Sequence, residues 1–311
     1  MYDVTDTVFR QIIADCAPPD MFMTEFVNVD GLQSAGRERL LHFLKLEKGE
    51  TPVIAQIWGK NPDNFRKTAQ EIADMGFDGI DINTGCPDKT ITKNGCCSAF
   101  IKPENRQLFA DIVQAAKEGA GDLPVSVKTR LGWDKTDFSW HEHVLRQGVS
   151  MFSIHGRTRK EMSKVPVRWD EIEYIRKLRD EIAPETKIVG NGDILTRKEA
   201  EAKIKEHGLD GVMIGRGIFQ DPYLFAVSSP WADKRPQDKI DLYIKHLTLY
   251  RDTYASGERR FDPVKKFMKV YINGFEGAGD IRADIAVTKN PDEAVAILKT
   301  AREKYTDEKA I

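Results

Sequence analysis

Apolar residues fall along the chain in short β-rich clusters with polar ends, at 21–27 (MFMTEFV), 53–59 (VIAQIWG), 79–85 (GIDINTG), 124–130 (PVSVKTR), 151–157 (MFSIHGR), 187–193 (KIVGNGD) and 211–217 (GVMIGRG). Such runs suit parallel strands covered by helices. Between them lie amphipathic stretches such as NPDNFRKTAQEIADMG and TRKEAEAKIKEHG, each opening on a capping residue and closing on glycine. The alternation predicts a parallel α/β sheet of the TIM (β/α)8 barrel class. Seven strands are visible where about eight close such a barrel. The opening segment, MYDVTDTVFRQII, reads as a loop and then a helix. The missing first strand is therefore expected upstream of Met1, or else the protein does without it. An upstream start is favoured because an open parallel barrel leaves strand edges unpaired.

After Pro230 the pattern changes. DKIDLYIKHLTLYRDTYASG, PVKKFMKVYINGF and NPDEAVAILKTAREKY carry helical periodicity with no strand between them. The expected domains are a barrel over 1–230 and a small all-helical domain over 231–311. Basic residues cluster in RRFDPVKKFMKVY, where Arg259, Arg260, Lys265, Lys266 and Lys269 interleave with Phe261, Phe267 and Tyr271. That mixture suits a phosphate backbone and stacked bases. The alternative is a solvated helix face whose aromatics belong to the core.

Composition adds boundaries. Hydrophobic residues make up 41% and charged residues 31% of the 311, which excludes long disorder. A net charge of −2 is not that of a domain basic overall, so any RNA contact must use a local patch. With no apolar run near the roughly 20 residues of a membrane span and no basic start followed by an apolar block, a cytoplasmic protein is expected. Cys16, Cys86, Cys96 and Cys97 match neither a zinc pattern nor a secreted disulfide framework, so reduced thiols are expected.

In barrels of this class the active site lies at the C-terminal ends of the strands. Those ends here carry Gln56, then Asn83 and Gly85-Cys86-Pro87, then Lys128 and Arg130, His155 and Arg157, Asn191-Gly192-Asp193, and Gly215-Arg216-Gly217. The last two glycine turns suit a phosphate, with Arg216 adding a charge-assisted contact. Lys128 and His155 come from adjacent strands. A cation there stabilises the negative charge that a reduced flavin ring accumulates, and Gln56 is placed to hydrogen-bond the ring's polar edge. Alternatively, Lys128 pairs with a carboxylate such as Asp81, and His155 is a satisfied strand-end residue. Cys86 opens a loop between Gly85, which frees the backbone, and Pro87, which fixes it; its alternative is a small buried hydrophobe.

Eight motifs in order, DVTDTVFR, FVNVDGL, AQIWG, GIDINTGCP, VSVKTRLGW, IHGRTR, IVGNGDI and VMIGRG, make the sequence resemble the tRNA-dihydrouridine synthases over nearly its whole length. The resemblance implies an enzyme that binds flavin mononucleotide (FMN), takes reducing equivalents from NADPH and saturates the C5–C6 bond of uridine in tRNA, with ribosomal RNA left open. Hydride passes from flavin N5 to C6, and Cys86 protonates C5, with the thiol held protonated by an ordinary pKa near 8.5. Gln56, Lys128 and His155 are then expected at the isoalloxazine and ribityl portions, Asn191, Gly192, Asp193, Gly215 and Arg216 around ribityl and phosphate, and Met1 and Tyr2 at the end of strand one. Asn83, Arg157, Lys93, Arg259, Arg260, Lys265 and Lys266 fall on the substrate side. The base must leave its stack, and the C-terminal helices hold the RNA meanwhile.

Two departures stand out. The family's Ala-Pro-Met turn at the end of strand one is reduced to Met1-Tyr2, and the glycine-rich stretch after GCP reads Gly95-Cys96-Cys97-Ser98, placing a spare thiol near the site. Rival readings are a flavin barrel that reduces a free pyrimidine and an RNA-binding protein that has lost flavin. A monomer is favoured.

Overall fold

A computed structural model of the chain describes residues 1–50 and 52–305. These form two compact units, one spanning Asp20–Gly215 and the other made of Met1–Pro19 together with the chain from Arg216 onward. The first unit thus ends at Gly215, and the first nineteen residues group with the C-terminal helices.

The first unit is built on a parallel sheet: β1 (Phe22–Met23), β2 (Val27–Asn28), β3 (Val53–Trp58), β4 (Gly79–Asn83), β5 (Val125–Arg130), β6 (Met151–His155), β7 (Lys187–Asn191) and β8 (Gly211–Met213). The order is β1-β3-β4-β5-β6-β7-β8, with β2 also on β3. Each of the seven apolar clusters therefore lies in the sheet, the first as two pieces. The break has a cause in register. Phe22 faces Val53 and Val27 faces Ile57, so one strand carries a residue more than its partner over the same stretch. Such an extra residue bulges the strand, and Thr24 uses the gap to accept the Gln56 N–H on its hydroxyl at 2.9 Å. Among the described residues no pairing joins β8 to β1, so the sheet is open.

The covering helices follow their caps. Asn61 accepts from the N–H groups of Asp63 and Asn64 ahead of Pro62–Asp74, with Pro62 as its first residue. Thr196 caps Arg197–His207, which closes on Gly208 in the left-handed conformation. Both fit the rule of an oxygen acceptor at the start and glycine at the end. Pro62–Asp74 packs closely on Arg106–Ala120. A Cβ at Gly119 would lie 1.9 Å from the Arg66 carbonyl oxygen, so that crossing requires glycine. Phe65, Ala69, Ile72, Phe109, Ile112 and Val113 fill the layer beneath. The strands thereby rest on an apolar layer.

In the second unit the helix Thr7–Cys16 is capped by Asp6, and Phe9 stacks on Phe267 with ring centroids 5.2 Å apart. Pro236–Thr253 and Pro291–Glu303 are its long helices, while PVKKFMKVY breaks into two single turns, Asp262–Lys265 and Met268–Tyr271. Phe267 and Tyr271 are buried, and the Tyr271 hydroxyl lies 2.9 Å from His246 Nδ1. Those two aromatics build core and cannot stack on bases. No helix among the described residues is long and apolar enough to cross a membrane.

Candidate active site

Parallel register sorts the strand-end side chains into rows. Gln56, Asp81 and Ser126 are level across β3, β4 and β5. Asn83 is level with Lys128, and Arg130, His155 and Asn191 make the next row. Level residues of parallel strands, and residues two apart within a strand, share a face. Each of these groups is therefore delivered to the same side of the sheet.

The first row is a closed network. The Gln56 amide donates to Asp81 Oδ2 at 2.8 Å and meets Met23 Sδ at 3.0 Å, while its oxygen accepts from Asn83 Nδ2 at 3.0 Å. Ser126 donates to Asp81 Oδ1 at 2.7 Å. Asp81 is fully buried, and burial pushes its carboxyl up to about 6 against the opposing hydrogen bonds and the charge of Lys128. Lys128 keeps some solvent access, yet the protein packed around its ammonium, and then the charge of Arg130, lower it to about 8 while Asp81 pulls the other way. A lysine so tuned still carries its charge at neutral pH.

The loop after β4 is held from both sides. Asn83 Oδ1 accepts the N–H groups of Gly85 at 2.9 Å and Cys86 at 3.1 Å. Arg130 donates from Nε to the Gly85 carbonyl at 2.7 Å, and from Nη1 to the carbonyls of Thr158 at 3.2 Å and Met162 at 3.0 Å. One buried guanidinium therefore ties the loop after β4 to the loop after β6, and its Nη1 lies 3.4 Å from His155 Nδ1. Between these restraints sits Cys86, half-buried. A hydrogen bond with the Cys97 thiol, helped by the Asp88 N–H, draws its pKa down to about 7 despite partial burial. The expectation of an unperturbed thiol is thus corrected: Cys86 titrates at neutral pH.

Arg157 and Asp193 also find each other. Arg157 is buried, and its two terminal nitrogens donate to the two carboxylate oxygens of Asp193, Nη1 at 3.1 Å. Expected on the substrate and cofactor sides respectively, they form an internal fork between the ends of β6 and β7. Asp193 holds φ at +50° and Gly192 at +140°. A Cβ on Gly192 would meet Val167 at 2.6 Å, so the turn needs glycine twice over, for conformation and for space. Asn191 is buried and donates to the Met213 carbonyl at 2.8 Å. Gly215 closes this unit beyond β8, and Lys93 is exposed at the end of the turn Lys89–Lys93.

The remaining predicted residues belong to the other unit. Met1 and Tyr2 form a turn, with the Met1 amino group donating to Thr5 Oγ1 at 2.7 Å, and Arg216 is exposed at the start of the turn Arg216–Phe219. Arg259 is withdrawn from solvent against Asp3 and Asp6, at 3.7 and 3.5 Å. Lys265 donates to the Thr288 carbonyl at 3.0 Å and pairs with Asp262 at 2.8 Å. Of the predicted basic patch, Arg260, Lys266 and Lys269 present their side chains to solvent.

Sequence reasoning did not assign functions to three residues here: Asp81, Arg130 and Cys97. Arg130 was visible as a strand-end residue, and alternation placed it on the same face as Lys128. Its three carbonyl partners were not visible, since they lie in separate loops.

A parallel α/β half-barrel with an amide, a thiol and a lysine gathered at its strand ends defines the class as a barrel-type enzyme fold. Solved structures agree on the fold: morphinone reductase in complex with tetrahydroNAD superposes with a TM-score of 0.52 at 13% identity, covering 74% of this chain and 85% of that one. The old yellow enzyme homologue from Zymomonas mobilis gives 0.50 at 15%, covering 71% and 82%. The family model for dihydrouridine synthase (Dus) matches residues 1–309, and the chain belongs to that family. It is 42% identical to the probable tRNA-dihydrouridine synthase 2 of Bacillus subtilis (strain 168), over 99% of this chain and 94% of that protein. The probable tRNA-dihydrouridine synthase of Staphylococcus aureus (strain COL) is likewise 42% identical, over 96% and 90%.

Proposed function

We propose that the chain reduces the C5–C6 double bond of uridines in tRNA to 5,6-dihydrouridine in the cytoplasm, with flavin mononucleotide at the strand ends and NADPH as reductant. The observation that carries this reading is Cys86, a thiol titrating at about 7, fixed by Asn83 and Arg130 beside the strand-end lysine Lys128.

The residues present fit the cofactor. Lys128 brings a positive charge to an otherwise amide-lined row, which suits the anionic edge of a reduced isoalloxazine. The turns at Gly192 and Gly215 stand at successive strand ends, where their backbone N–H groups suit ribityl and phosphate. Bound there, reduced flavin supplies the hydride that adds to C6.

The protein's own part is the proton. The Cys86 S–H gives its proton to C5 as negative charge develops there, leaving a thiolate. A donor whose pKa lies near the working pH is strong enough to give the proton and still carries it part of the time. The hydrogen bond from Cys97 and the charge of Arg130 stabilise the thiolate left behind. Asn83, by holding the Cys86 N–H, fixes where the sulfur stands. Lys93 in this unit, and Arg260, Lys266 and Lys269 on the helical unit, are the exposed cations available to phosphates.

The test is formation of dihydrouridine in an unmodified tRNA transcript by purified protein given flavin mononucleotide and NADPH. Dihydrouridine in the transcript is expected. Turnover of free uracil or uridine in its place, or no flavin retained after reconstitution, overturns the proposal.

A further inference from the structure

We infer that Lys102 and Arg159, carried on the indole of Trp133, form a phosphate clamp on the barrel rim that holds the RNA backbone beside the target uridine. The inference rests on the reading above that RNA is the substrate. The Lys102 ammonium lies 4.4 Å and the Arg159 guanidinium 4.5 Å from the centre of a Trp133 ring.

Three loops meet at this indole. Trp133 follows β5 and Arg159 follows β6, and the N–H groups of Arg159 and Lys160 donate to the carbonyls of Gly132 at 2.8 Å and Trp133 at 2.9 Å. Lys102 comes from the chain after β4, directly beyond the turn Cys97–Ile101. From that same stretch Thr92, on the short helix after Cys86, accepts Arg159 Nη2 on its hydroxyl at 3.4 Å. Arg159 also follows Thr158, whose carbonyl Arg130 holds together with that of Gly85. The cluster therefore stands on the rim of the Cys86 loop.

Neither charge is neutralised. Both residues are half-buried, neither forms an ion pair, and the Lys102 ammonium donates no hydrogen bond among the described residues. Arg159 Nε is buried without a hydrogen-bond partner, so its guanidinium has donors to spare. Asp134 and Glu104, close by in sequence, pair with neither cation. Two positive charges within 4.5 Å of one indole are separated by less than the Debye length of about 10 Å at 0.1 M salt, so salt does little to relieve their repulsion. An anion with several acceptor oxygens completes such an arrangement, and a phosphodiester is one. Extruding a uridine costs stacking, and contacts to the flanking backbone fix its register. Trp133 is then a positioning residue: it aims the two side chains that meet the phosphates.

The experiment measures binding of an unmodified tRNA transcript to the full-length, flavin-loaded protein by filter retention across a salt series. Lys102→Ala and Arg159→Ala should each weaken binding by roughly 10-fold and lower the salt slope of log K by about 1. The double variant should lower the slope by about 2. Arg159→Lys keeps the charge and should keep the slope, which separates electrostatic contact from packing. Trp133→Leu should weaken binding by about 5-fold with the slope unchanged, and Trp133→Phe should recover most of that loss. In a preparation that forms dihydrouridine, a double variant with the full slope overturns the clamp and leaves the proposed function standing. A wild-type protein that binds the transcript with no salt dependence overturns both. A raised KM for NADPH with an unaltered tRNA slope assigns the two cations to the reductant's phosphates and likewise overturns the inference.

Discussion

Arg130 holds the peptide immediately before Cys86: its Nε donates to the Gly85 carbonyl at 2.7 Å while its Nη1 reaches two carbonyls of the loop after β6. A side chain that never needs to touch the uridine thereby sets the position of the sulfur that does. Replacing it with methionine strips two buried carbonyls, those of Gly85 and Thr158, and the partly buried carbonyl of Met162 of their donor. We expect a loss of about 2 kcal/mol in unfolding free energy and a fall of roughly 100-fold in uridine reduction from misplacement of the thiol. Flavin reduction by NADPH should change far less. Denaturation together with separate half-reaction rates checks this; equal losses in both half-reactions would point to general unfolding.

Cys86→Ala should leave flavin reduction by NADPH intact and cut dihydrouridine formation by about 100- to 10,000-fold. Stopped-flow absorbance follows the first half-reaction and nucleoside analysis the second. Unchanged product would assign the proton to another group.

The pH dependence of turnover should carry the mark of Cys97. Proton donation requires the Cys86 thiol, so the rate should fall as pH rises through about 7. In Cys97→Gly the hydrogen bond that lowers the thiol is gone, and the inflection should move upward toward about 8.5. Glycine suits the left-handed backbone at this position, so the variant should fold. An unmoved inflection would mean that the thiol contact has no electrostatic consequence.

How much of this was legible in advance varies with the kind of contact. The strand positions were, because the central apolar clusters are buried on both faces and all are bounded by turn residues; so were the helix starts at Asn61, Thr196 and Asn290. Row membership followed from alternation, which put Gln56, Lys128 and His155 on one side of the sheet. The Arg157–Asp193 fork was not legible. An arginine and an aspartate in two strand-end loops look like separate ligands for anion and ribityl, and only the placed backbones show that they also pair with each other. The basic tail was half legible: the charges of RRFDPVKKFMKVY are real, but helical phase turns Phe267 and Tyr271 inward, and Arg259 and Lys265 find acidic and carbonyl partners.

That fork makes an asymmetric prediction. Asp193→Ala leaves the buried Arg157 guanidinium without its carboxylate, whereas Arg157→Ala leaves a carboxylate with solvent access. The first should cost about 2 kcal/mol or more, the second less. Urea denaturation of both variants decides it; the reverse order would mean that Arg157 is held by other partners.

Within the helical unit, the same reasoning separates structure from binding. Arg259→Ala should lower Tm with little change in tRNA affinity. Lys266→Ala should leave Tm unchanged, weaken tRNA binding and reduce the salt slope of log K by about 1. Filter binding across a salt series measures it, and an unchanged slope would remove Lys266 from the RNA surface.

Stability should also respond to Asp81. Its folded pKa of about 6 lies above the ordinary 3.8, so the folded state holds the proton more tightly. Stability from this group is fully present below about pH 4 and is lost as pH rises through about 6. The integrated loss is about 3 kcal/mol for a shift of this size. Asp81→Asn should flatten that part of the pH profile in chemical denaturation. A wild-type profile already flat between those limits would show that the neighbouring donors hold the carboxylate ionised.

The open sheet has a consequence beyond catalysis. Among the described residues the sheet has two border strands, and such borders seed fibrils when they are long and flat. Here the borders are two and three residues long, and the first is followed at once by an extra residue that throws the backbone out of step. An intruding strand would find only a few peptide groups before its own spacing failed. The irregular first strand thereby gives an added strand little to pair with, and the same irregularity seats the Gln56 N–H on the Thr24 hydroxyl at the edge of the site.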